Sequence, residues 1–429
     1  MQTYANALLI AIPLFSLLVL AEAVYGAWKK QQTLNVPDTL SSLSSGVTNV
    51  VKDSLGLVVV IVSYPFLLGW LAVFELPSTW WVFLVAFVAI DFAGYCSHRL
   101  NHSVNLFWNN HVIHHSSEEF NLACALRQSI SNIIGYYALF LVPAAVIGVP
   151  ADVVNIIAPL HLFLQFWYHT QHVPKLGWLE YVIVTPSQHR VHHAINPEYL
   201  DKNLGQIFPW WDRMLGTFQE ELDDVPPVYG ITRPAATWNP IRINFQHIWL
   251  LAKDAWRAER WWDKLRVWFM PTGWRPPDVA ERYPVPYIRD PYNFEKDRPE
   301  LTPALSAWST FHFLALIVLL VDMLARLSRI GFPDLFVYGA FLFAGVYGFT
   351  TVMDRSRWGG VLEAVRGLAA LGFIGLTGGW FGAAPVGVAL VAGYSVLTVI
   401  GGVVIWFFER RREASGVAKE PSVSGGLVG

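Results

Sequence analysis

The sequence is poor in cysteine and in charge, and each shortage excludes a class of protein. Only two cysteines, Cys96 and Cys124, occur in 429 residues, too few for a disulfide framework or a cysteine-ligated zinc site. Charged residues make up 14% of the chain, against roughly a quarter in soluble proteins. The formal net charge of −2 gives no basic excess for binding a nucleic acid. We therefore expect neither a soluble disulfide-bonded domain nor a nucleic-acid partner.

Apolar residues are abundant instead. Hydrophobic residues make up 54% of the chain and aromatic residues 15%, and a helix needs about 20 mainly apolar residues to cross a bilayer. Apolar runs lie at residues 5–28, 55–74, 80–95, 130–149, 153–168, 307–327, 336–353, 361–376 and 385–408. The sequence therefore predicts an all-α, polytopic membrane helical bundle with about nine spans.

Polar segments separate some of these runs. Residues 31–54 are rich in serine and are expected to form a loop, and residues 169–303 are expected to lie against one membrane face. Within the second segment, residues 256–275 mix tryptophan with arginine and lysine. This mixture is typical of an interfacial, partly embedded surface, or of a soluble helix with a tryptophan-rich packing face. Lysine and arginine near the span ends favour an external N-terminus and a cytoplasmic position for the histidine clusters described next.

Eleven of the 13 histidines lie between residues 98 and 193. They form the clusters His98-Arg-Leu-Asn-His102, His111-Val-Ile-His114-His115 and His189-Arg-Val-His192-His193. Residues three or four apart share one face of a helix, and the imidazole nitrogen is the commonest metal ligand. His161 and His169 are eight residues apart, also near one face, and join the cluster histidines as candidate ligands. Together these side chains provide enough nitrogen for two metal ions.

Charged residues near the clusters are candidates for supporting roles. A metal-bound imidazole usually donates its other N–H to a carboxylate or a carbonyl. Asp91 lies about two helical turns before His98 inside an apolar run, where a buried carboxylate needs a partner and indicates function. Arg127 is expected to hold such a carboxylate or a lipid headgroup. Asp91 and Arg127 are therefore the predicted catalytic residues.

The ligand type narrows the choice of metal without fixing it. Imidazole suits zinc, copper, iron and nickel. A Glu-x-x-His motif does not occur in the sequence, which argues against a carboxylate-bridged di-iron bundle. Many neutral imidazoles beside apolar spans favour a redox-active pair of irons that binds O₂ near a lipid tail. A metal-binding transporter is the alternative from another class, but its ligands would be expected in the middle of the spans.

The spacing of the three clusters resembles that of the fatty acid hydroxylase/sterol desaturase superfamily of membrane di-iron oxygenases. Longer runs are similar to the alkylglycerol monooxygenases within it. These runs are His114-His-Ser-Ser-Glu-Glu-Phe-Asn-Leu122, Gln165-Phe-Trp-Tyr-His169-Thr, Thr185-Pro-Ser-Gln-His-Arg-Val-His-His193 and Trp211-Asp-Arg-Met-Leu-Gly-Thr-Phe218. The chain departs from that pattern at Ser103 and Gln171, where the resembling enzymes have glutamate.

The resemblance implies a monooxygenase that hydroxylates the carbon next to the ether oxygen of an alkylglycerol and releases a fatty aldehyde. It implies two iron ions held by the cluster histidines and His169, with a membrane lipid and O₂ as substrates. It also implies an electron donor, which would be tetrahydrobiopterin or another reductant of the ferredoxin or cytochrome type. The alternative with the same di-iron centre is a sterol, fatty acyl or carotenoid hydroxylase or desaturase.

These features divide the chain into five parts. We expect N-terminal membrane spans in residues 1–90 and a catalytic domain of the fatty acid hydroxylase type, including a membrane hairpin, in residues 91–220. A cytoplasmic or interfacial region follows in residues 221–303, and further membrane spans occupy residues 304–410. Residues 411–429 are expected to form a disordered tail.

Overall fold

A computed structural model describes residues 2–294 and 299–415, most of which are helical. The helices of the first half are α1 (Gln2–Lys29), α2 (Val36–Ser54), α3 (Tyr64–Leu71), α4 (Trp80–Ser103), α5 (Asn105–Trp108), α6 (Val112–His115), α7 (Val142–Val146), α8 (Ala151–Phe163) and α9 (Pro186–His192). Those of the second half are α10 (Trp210–Leu215), α11 (Pro240–Arg257), α12 (Trp261–Arg266), α13 (Pro277–Arg282), α14 (Pro303–Ala325), α15 (Leu327–Ile330), α16 (Asp334–Met353), α17 (Arg357–Thr377) and α18 (Pro385–Ala414). Short 3-10 helices cover Cys124–Leu126, Tyr137–Leu141, Gly177–Tyr181 and Pro291–Asn293. The two strands, β1 (Val59–Val60) and β2 (Ile134–Gly135), pair in parallel.

Six of the described helices are long and apolar enough to cross a membrane, namely α1, α4, α14, α16, α17 and α18. Each coincides with one of the predicted apolar runs. The prediction of an all-α, polytopic membrane bundle is therefore confirmed.

Three predicted runs do not form continuous membrane-length helices, so the expectation of nine spans is not confirmed. Residues 55–74 are interrupted by Gly56, which has a φ of +66°, and by strand β1 before α3 begins. Residues 130–149 contain β2, a 3-10 helix and the short α7, and residues 153–168 contribute only α8, which ends at Phe163. Backbone that leaves the helix early needs partners within the protein, and β1 and β2 provide them for each other.

The serine-rich segment predicted as a loop is mostly the helix α2, which corrects that expectation. The Asn35 side chain accepts a hydrogen bond from the Asp38 backbone N–H and so caps the helix. Leu40, Val47 and Val51 are buried in a hydrophobic core shared with α14 and α16. Serine is small enough to allow close helix contacts, and Ser41, Ser42, Ser44 and Ser45 are all buried. The serine-rich composition of this segment, which is typical of loops, here allows tight packing of a helix.

Among the four C-terminal membrane helices, α14 packs against α16, α16 against α17 and α17 against α18, and α14 and α16 also contact α2. Glycines permit the closest approach, because a Cβ atom at Gly360 would lie 2.5 Å from the carbonyl oxygen of Gly402. Helix α18 continues to Ala414, so residues 411–414 are helical and correct the start of the predicted disordered tail. The remainder of that tail, residues 416–429, lies outside the described residues.

A second hydrophobic core surrounds α4 and fixes where its last turns lie. Val82, Ala86 and Ile90 of α4 are buried against Ala144 and Val153, which belong to α7 and α8. Beyond this core, α4 carries the first histidine cluster, and short helices and loops from residues 104–219 gather around it. This hydrophobic core thus fixes the position of the C-terminal end of α4, around which the histidines gather.

Candidate metal centre

Each histidine cluster is placed by a helical element. His98 and His102 lie one turn apart at the end of α4. The second cluster lies on and around α6, and the third on α9. Helix α9 begins with a capping box in which Thr185 and Gln188 bond each other's backbone, and Pro186 occupies its first turn. These caps fix the start of a helix only seven residues long, and so fix the positions of its histidines.

The structure brings nine of the ten predicted histidine ligands into two groups, and the ring nitrogens within each group lie within 4.8 Å of one another. The first group consists of His98, His102, His111, His115 and His192. The second group consists of His114, His169, His189 and His193. Adjacent residues on α6 therefore serve different groups, and so do His192 and His193. This arrangement could hold two metal ions side by side.

The distances between ring nitrogens match a shared coordination sphere. Two nitrogens that each lie about 2.1 Å from one metal ion, at right angles to each other, are about 3.0 Å apart. In the first group, Nε2 of His98 lies 2.9 Å from Nε2 of His111, and Nε2 of His102 lies 3.2 Å from Nε2 of His115. In the second group, Nε2 of His189 lies 2.9 Å from Nε2 of His169 and 3.0 Å from Nε2 of His193.

The hydrogen bonds made by Nδ1 of several rings show which ring nitrogen carries the proton. Nδ1 of His98 donates to the carbonyl oxygen of Leu204 at 2.8 Å, and Nδ1 of His192 donates to the carbonyl oxygen of Lys202 at 2.9 Å. A carbonyl oxygen only accepts, so the Nε2 atom of each neutral ring must carry a lone pair. Nε2 of His192 is buried with no hydrogen-bond partner. A bound cation would provide the partner that this atom needs.

The second group repeats this pattern. Nδ1 of His114 lies 3.3 Å from the carbonyl oxygen of Arg127, and Nδ1 of His169 lies 3.0 Å from that of Gln165. With both Nδ1 atoms donating, the two Nε2 atoms face each other with lone pairs at 3.4 Å. Two facing lone pairs repel unless a cation lies between them. The donor set therefore fits a metal ion better than it fits a hydrogen-bonded histidine core.

Burial keeps the imidazoles outside the membrane spans neutral. Desolvation, followed by the positive charge that neighbouring histidines would carry, lowers the pKa of His114 to about 3. The same causes hold the pKa values of His111, His115, His189 and His193 well below the ordinary value. A neutral imidazole is the form that binds a metal, so these side chains are ready as ligands at physiological pH.

Two aspartates support the first group. The Asp201 carboxylate accepts a hydrogen bond from Nδ1 of His102 at 3.0 Å, and it is 67% exposed. Asp212 accepts hydrogen bonds from the backbone N–H groups of Leu204 and Gly205, both at 2.7 Å. Since the Leu204 carbonyl accepts from His98, Asp212 holds the loop that orients that ring.

Asp91 and His161 pair with each other at a distance from the histidine groups. Nε2 of His161 donates to Asp91 at 2.8 Å, and Asp91 also accepts from the Ile207 backbone N–H and from Trp211 Nε1. His161 joins neither group, so the structure does not place it as a ligand. The spacing of eight residues between His161 and His169 does not bring the two rings to one helix face. The reason is that α8 ends at Phe163, so helical periodicity does not continue to residue 169. Asp91 ties α4 to the loop that supports His98.

Arg127, predicted as catalytic, is fully buried in a polar network behind the second cluster. Its guanidinium donates to Asp38 at 2.8 Å, to Ser42 at 2.9 Å and to Ser116 at 2.8 Å. The guanidinium thus binds α2, while its carbonyl oxygen faces His114. This geometry corresponds to a positioning residue, because the guanidinium is bonded to Asp38 and to two serines.

Sequence reasoning missed two carboxylates that join the N-terminal helices to the site. Glu22 of α1 accepts hydrogen bonds from Thr170 Oγ1 at 2.6 Å and from the Leu122 backbone N–H at 2.7 Å. Asp38 of α2 is the partner of Arg127. Glu22 could have been found as a charged residue inside an apolar run. Asp38 gave no such signal, since its segment was interpreted as a loop.

Comparisons with known proteins agree with this geometry. The sequence profile of the fatty acid hydroxylase family matches residues 83–217, which include both histidine groups. The alkylglycerol monooxygenase of Xenopus tropicalis is 34% identical over 367 residues, which are 83% of this chain and 79% of that protein. That of Danio rerio is 35% identical over 72% of this chain and 68% of its own length, and that of Homo sapiens is 36% identical over 62% and 59%. No solved structure matches the chain.

Proposed function

The chain belongs to the alkylglycerol monooxygenase family, and from this premise we propose that it oxidises an alkylglycerol in the membrane. One atom of O₂ enters the C–H bond of the carbon next to the ether oxygen. The other atom leaves as water, with two electrons and two protons from a reductant. The resulting hemiacetal breaks into a fatty aldehyde and the free glycerol hydroxyl.

One observation carries this proposal beyond the family name. Two groups of histidines whose ring nitrogens converge lie at the end of the membrane helix α4. A lipid whose alkyl chain lies in the bilayer would present its ether carbon near that end. A transporter would instead place its ligands within the spans, whereas the members of the two histidine groups outside α4 lie on short helices and loops.

We propose that the two groups hold two iron ions, through the nine histidines that compose them. When bound, the irons would supply the site at which O₂ is activated, with the two electrons coming from the reductant. The protein's own residues fix each ring: the carbonyl oxygens of Leu204, Lys202, Gln165 and Arg127 hold Nδ1 protons, and so does the carboxylate of Asp201. Every such contact leaves Nε2 free for a metal.

The finer assignments are part of the same proposal. Residues 91–220 would form the catalytic unit, with the histidines at the cytoplasmic face, where reductants are available. The electron donor would be tetrahydrobiopterin or a ferredoxin- or cytochrome-type protein. The family's glutamate is replaced by Ser103, whose Oγ donates to the Arg99 carbonyl oxygen at 2.6 Å. This chain therefore lacks an acidic group at that position, and the donor is best identified by experiment.

The experiment is a product assay on the purified protein in lipid nanodiscs. We expect O₂-dependent release of fatty aldehyde from a 1-O-alkylglycerol, with each candidate reductant supplied separately. Activity with reduced ferredoxin alone would retain the reaction and exclude the pterin. Oxidation of a sterol, fatty acyl or carotenoid substrate without any aldehyde from the alkylglycerol would contradict the proposed substrate. His114→Ala and His192→Ala should each abolish turnover.

A further inference from the structure

Helices α11 and α12 expose a row of large apolar side chains that no described part of the chain covers. The row, called here the tryptophan face, consists of Trp249, Trp256, Trp261, Trp262, Leu265 and Phe269, each between 59% and 85% exposed. A contiguous exposed patch of this kind is rare on a water-facing surface and marks an interaction site.

The positions of these residues show that α11 is apolar on two faces. Its inner face buries Ile243, Leu250 and Leu251. Trp249 and Trp256 are seven residues apart, which is about two turns, and they lie on the outer side. The sequence left open whether this segment is a soluble helix whose tryptophans pack inward. Trp256 is 85% exposed and Trp261 78%, so the packing alternative does not describe them.

In α12 and the turn after it the same arrangement continues. Trp261 and Leu265 are four residues apart and share one side of α12, and the exposed Phe269 follows in the turn after it. Between them, Asp263 and Val267 are buried. The outward stripe therefore runs from α11 into α12 and beyond it.

The charges beside the tryptophan face favour a lipid surface. Its two buried aspartates are neutralised internally, because Asp254 binds Arg275 at 2.6 Å and Asp263 binds Arg266 at 2.7 Å. Arg242, near the start of α11, pairs with Asp354. The other basic residues from α11 through α12 are Lys253, Arg257, Arg260 and Lys264, against a single further acid, Glu259. Tryptophan with lysine and arginine is the composition of helices that lie in the headgroup region of a bilayer.

The tryptophan face is also continuous with the end of a membrane helix. Beyond α12, the Thr272 backbone N–H donates to the carbonyl oxygen of Ser103 at 3.2 Å. The Asn105 backbone N–H donates to Met270 at 3.0 Å, and the Asn105 side chain donates to Val267 at 2.9 Å. Ser103 is the last residue of α4, a candidate membrane span. The face thus adjoins the point at which α4 leaves the bilayer.

We propose that the tryptophan face lies in the headgroup region of the bilayer and sets the depth of the histidine groups. The segment that carries the end of the face bonds Ser103 and Asn105 through Val267, Met270 and Thr272. Ser103 and Asn105 lie in the connection from His102 to His111, which are members of one group. Docking of α11 and α12 on the membrane therefore holds this connection at the boundary between headgroups and alkyl chains. That boundary is where the ether carbon of an alkylglycerol lies, so this last step rests on the proposed function.

Spin labelling tests the docking independently of any activity. A nitroxide is attached at Trp261→Cys or Phe269→Cys, and at Asp224→Cys on the exposed polar surface as the control. The proteins are studied in nanodiscs of equimolar phosphatidylcholine and phosphatidylserine. The wild-type chain, with Cys96 and Cys124, gives the background labelling. We expect the labels at 261 and 269 to collide with O₂ and to be shielded from a water-soluble nickel chelate, unlike the label at 224. Equal exposure to the chelate at all three positions would overturn the proposal and leave a protein partner as the occupant.

An activity assay tests the depth-setting role. Trp261→Gln with Trp262→Gln should reduce kcat/KM for aldehyde release in nanodiscs about tenfold, which corresponds to about 1.4 kcal/mol, and should leave the rate in detergent micelles unchanged. Tyr287→Gln, at an exposed aromatic residue outside the face, should change neither rate. Equal rates for wild type and the double variant in nanodiscs would contradict this role. Absence of aldehyde from every protein would refute the proposed function but leave the labelling result standing.

Discussion

At five of the nine histidine rings of the centre, the two nitrogens have different tasks, and this division determines the chemistry. Nδ1 of His98, His102, His114, His169 and His192 donates to a carbonyl oxygen or to a carboxylate, which leaves Nε2 of each ring for a metal. Such outer partners fix the ring orientation and usually matter almost as much as the ligands. The outer partners should therefore respond to substitution in a measurable way.

Asp201 allows this division to be tested on the surface of the protein. Asp201→Ala should reduce metal affinity or activity by about 10- to 100-fold, because Nδ1 of His102 loses its acceptor. Asp201→Asn retains a carbonyl oxygen and suits the positive φ of 56° at this position, so its loss should be smaller. Metal content and kcat/KM are measured, with Asp224→Ala as the exposed control. Equal metal content in Asp201→Ala and wild type would contradict the role.

Arg127 distinguishes a positioning role from a catalytic one. Arg127→Met leaves the buried Asp38 carboxylate without this cation, which costs about 3–5 kcal/mol, so the thermal midpoint in detergent should fall strongly. Arg127→Met combined with Asp38→Asn should recover part of the loss. A protein with wild-type stability but no turnover would instead support the catalytic prediction made from the sequence.

At the scale of helices, the sequence predicted best what depends on local composition. The histidine clusters and the long apolar helices were recognised because both leave an unusual composition at fixed spacing. Helix α2 was missed because its serine-rich composition is typical of a loop. The Asp38–Arg127 pair was missed because its two residues lie on segments that are distant in the sequence. His161 was misassigned because nothing in the sequence marks the end of α8 at Phe163.

The contact between α17 and α18 depends on glycine and gives a prediction at this scale. Gly360→Ala would place a Cβ atom 2.5 Å from the backbone of Gly402, and overpacking of this kind costs about 1–3 kcal/mol. Gly372→Ala lies in the same helix with nothing within 4 Å, so it should be neutral or slightly stabilising. Thermal unfolding in detergent compares the two. Equal stability would show that the helices do not approach as described.

At the scale of the whole molecule, a membrane bundle supports a centre whose neutral histidines make stability depend on pH. Burial lowers the pKa of His114 to about 3 and holds the pKa values of His189 and His193 well below the ordinary value. Below about pH 6.5, the unfolded chain binds protons that the folded chain does not. The stability conferred by neutral histidines is therefore present above that pH and is lost as the pH falls.

The metal-free protein should accordingly show a falling thermal midpoint between about pH 7 and pH 5. The slope should be shallower in a variant that replaces His189 and His193 with glutamine, because these positions then no longer titrate. Differential scanning fluorimetry in detergent measures both. A midpoint that is independent of pH over this range would contradict the neutral state of the buried imidazoles.

The most direct test of the centre is the iron content of the purified chain. Two iron ions per chain are expected in the wild-type protein, with one held by each histidine group. His192→Ala, in the first group, and His189→Ala, in the second, should each retain about one ion while losing aldehyde release. A folded wild-type chain that holds less than one iron ion would contradict the di-iron centre.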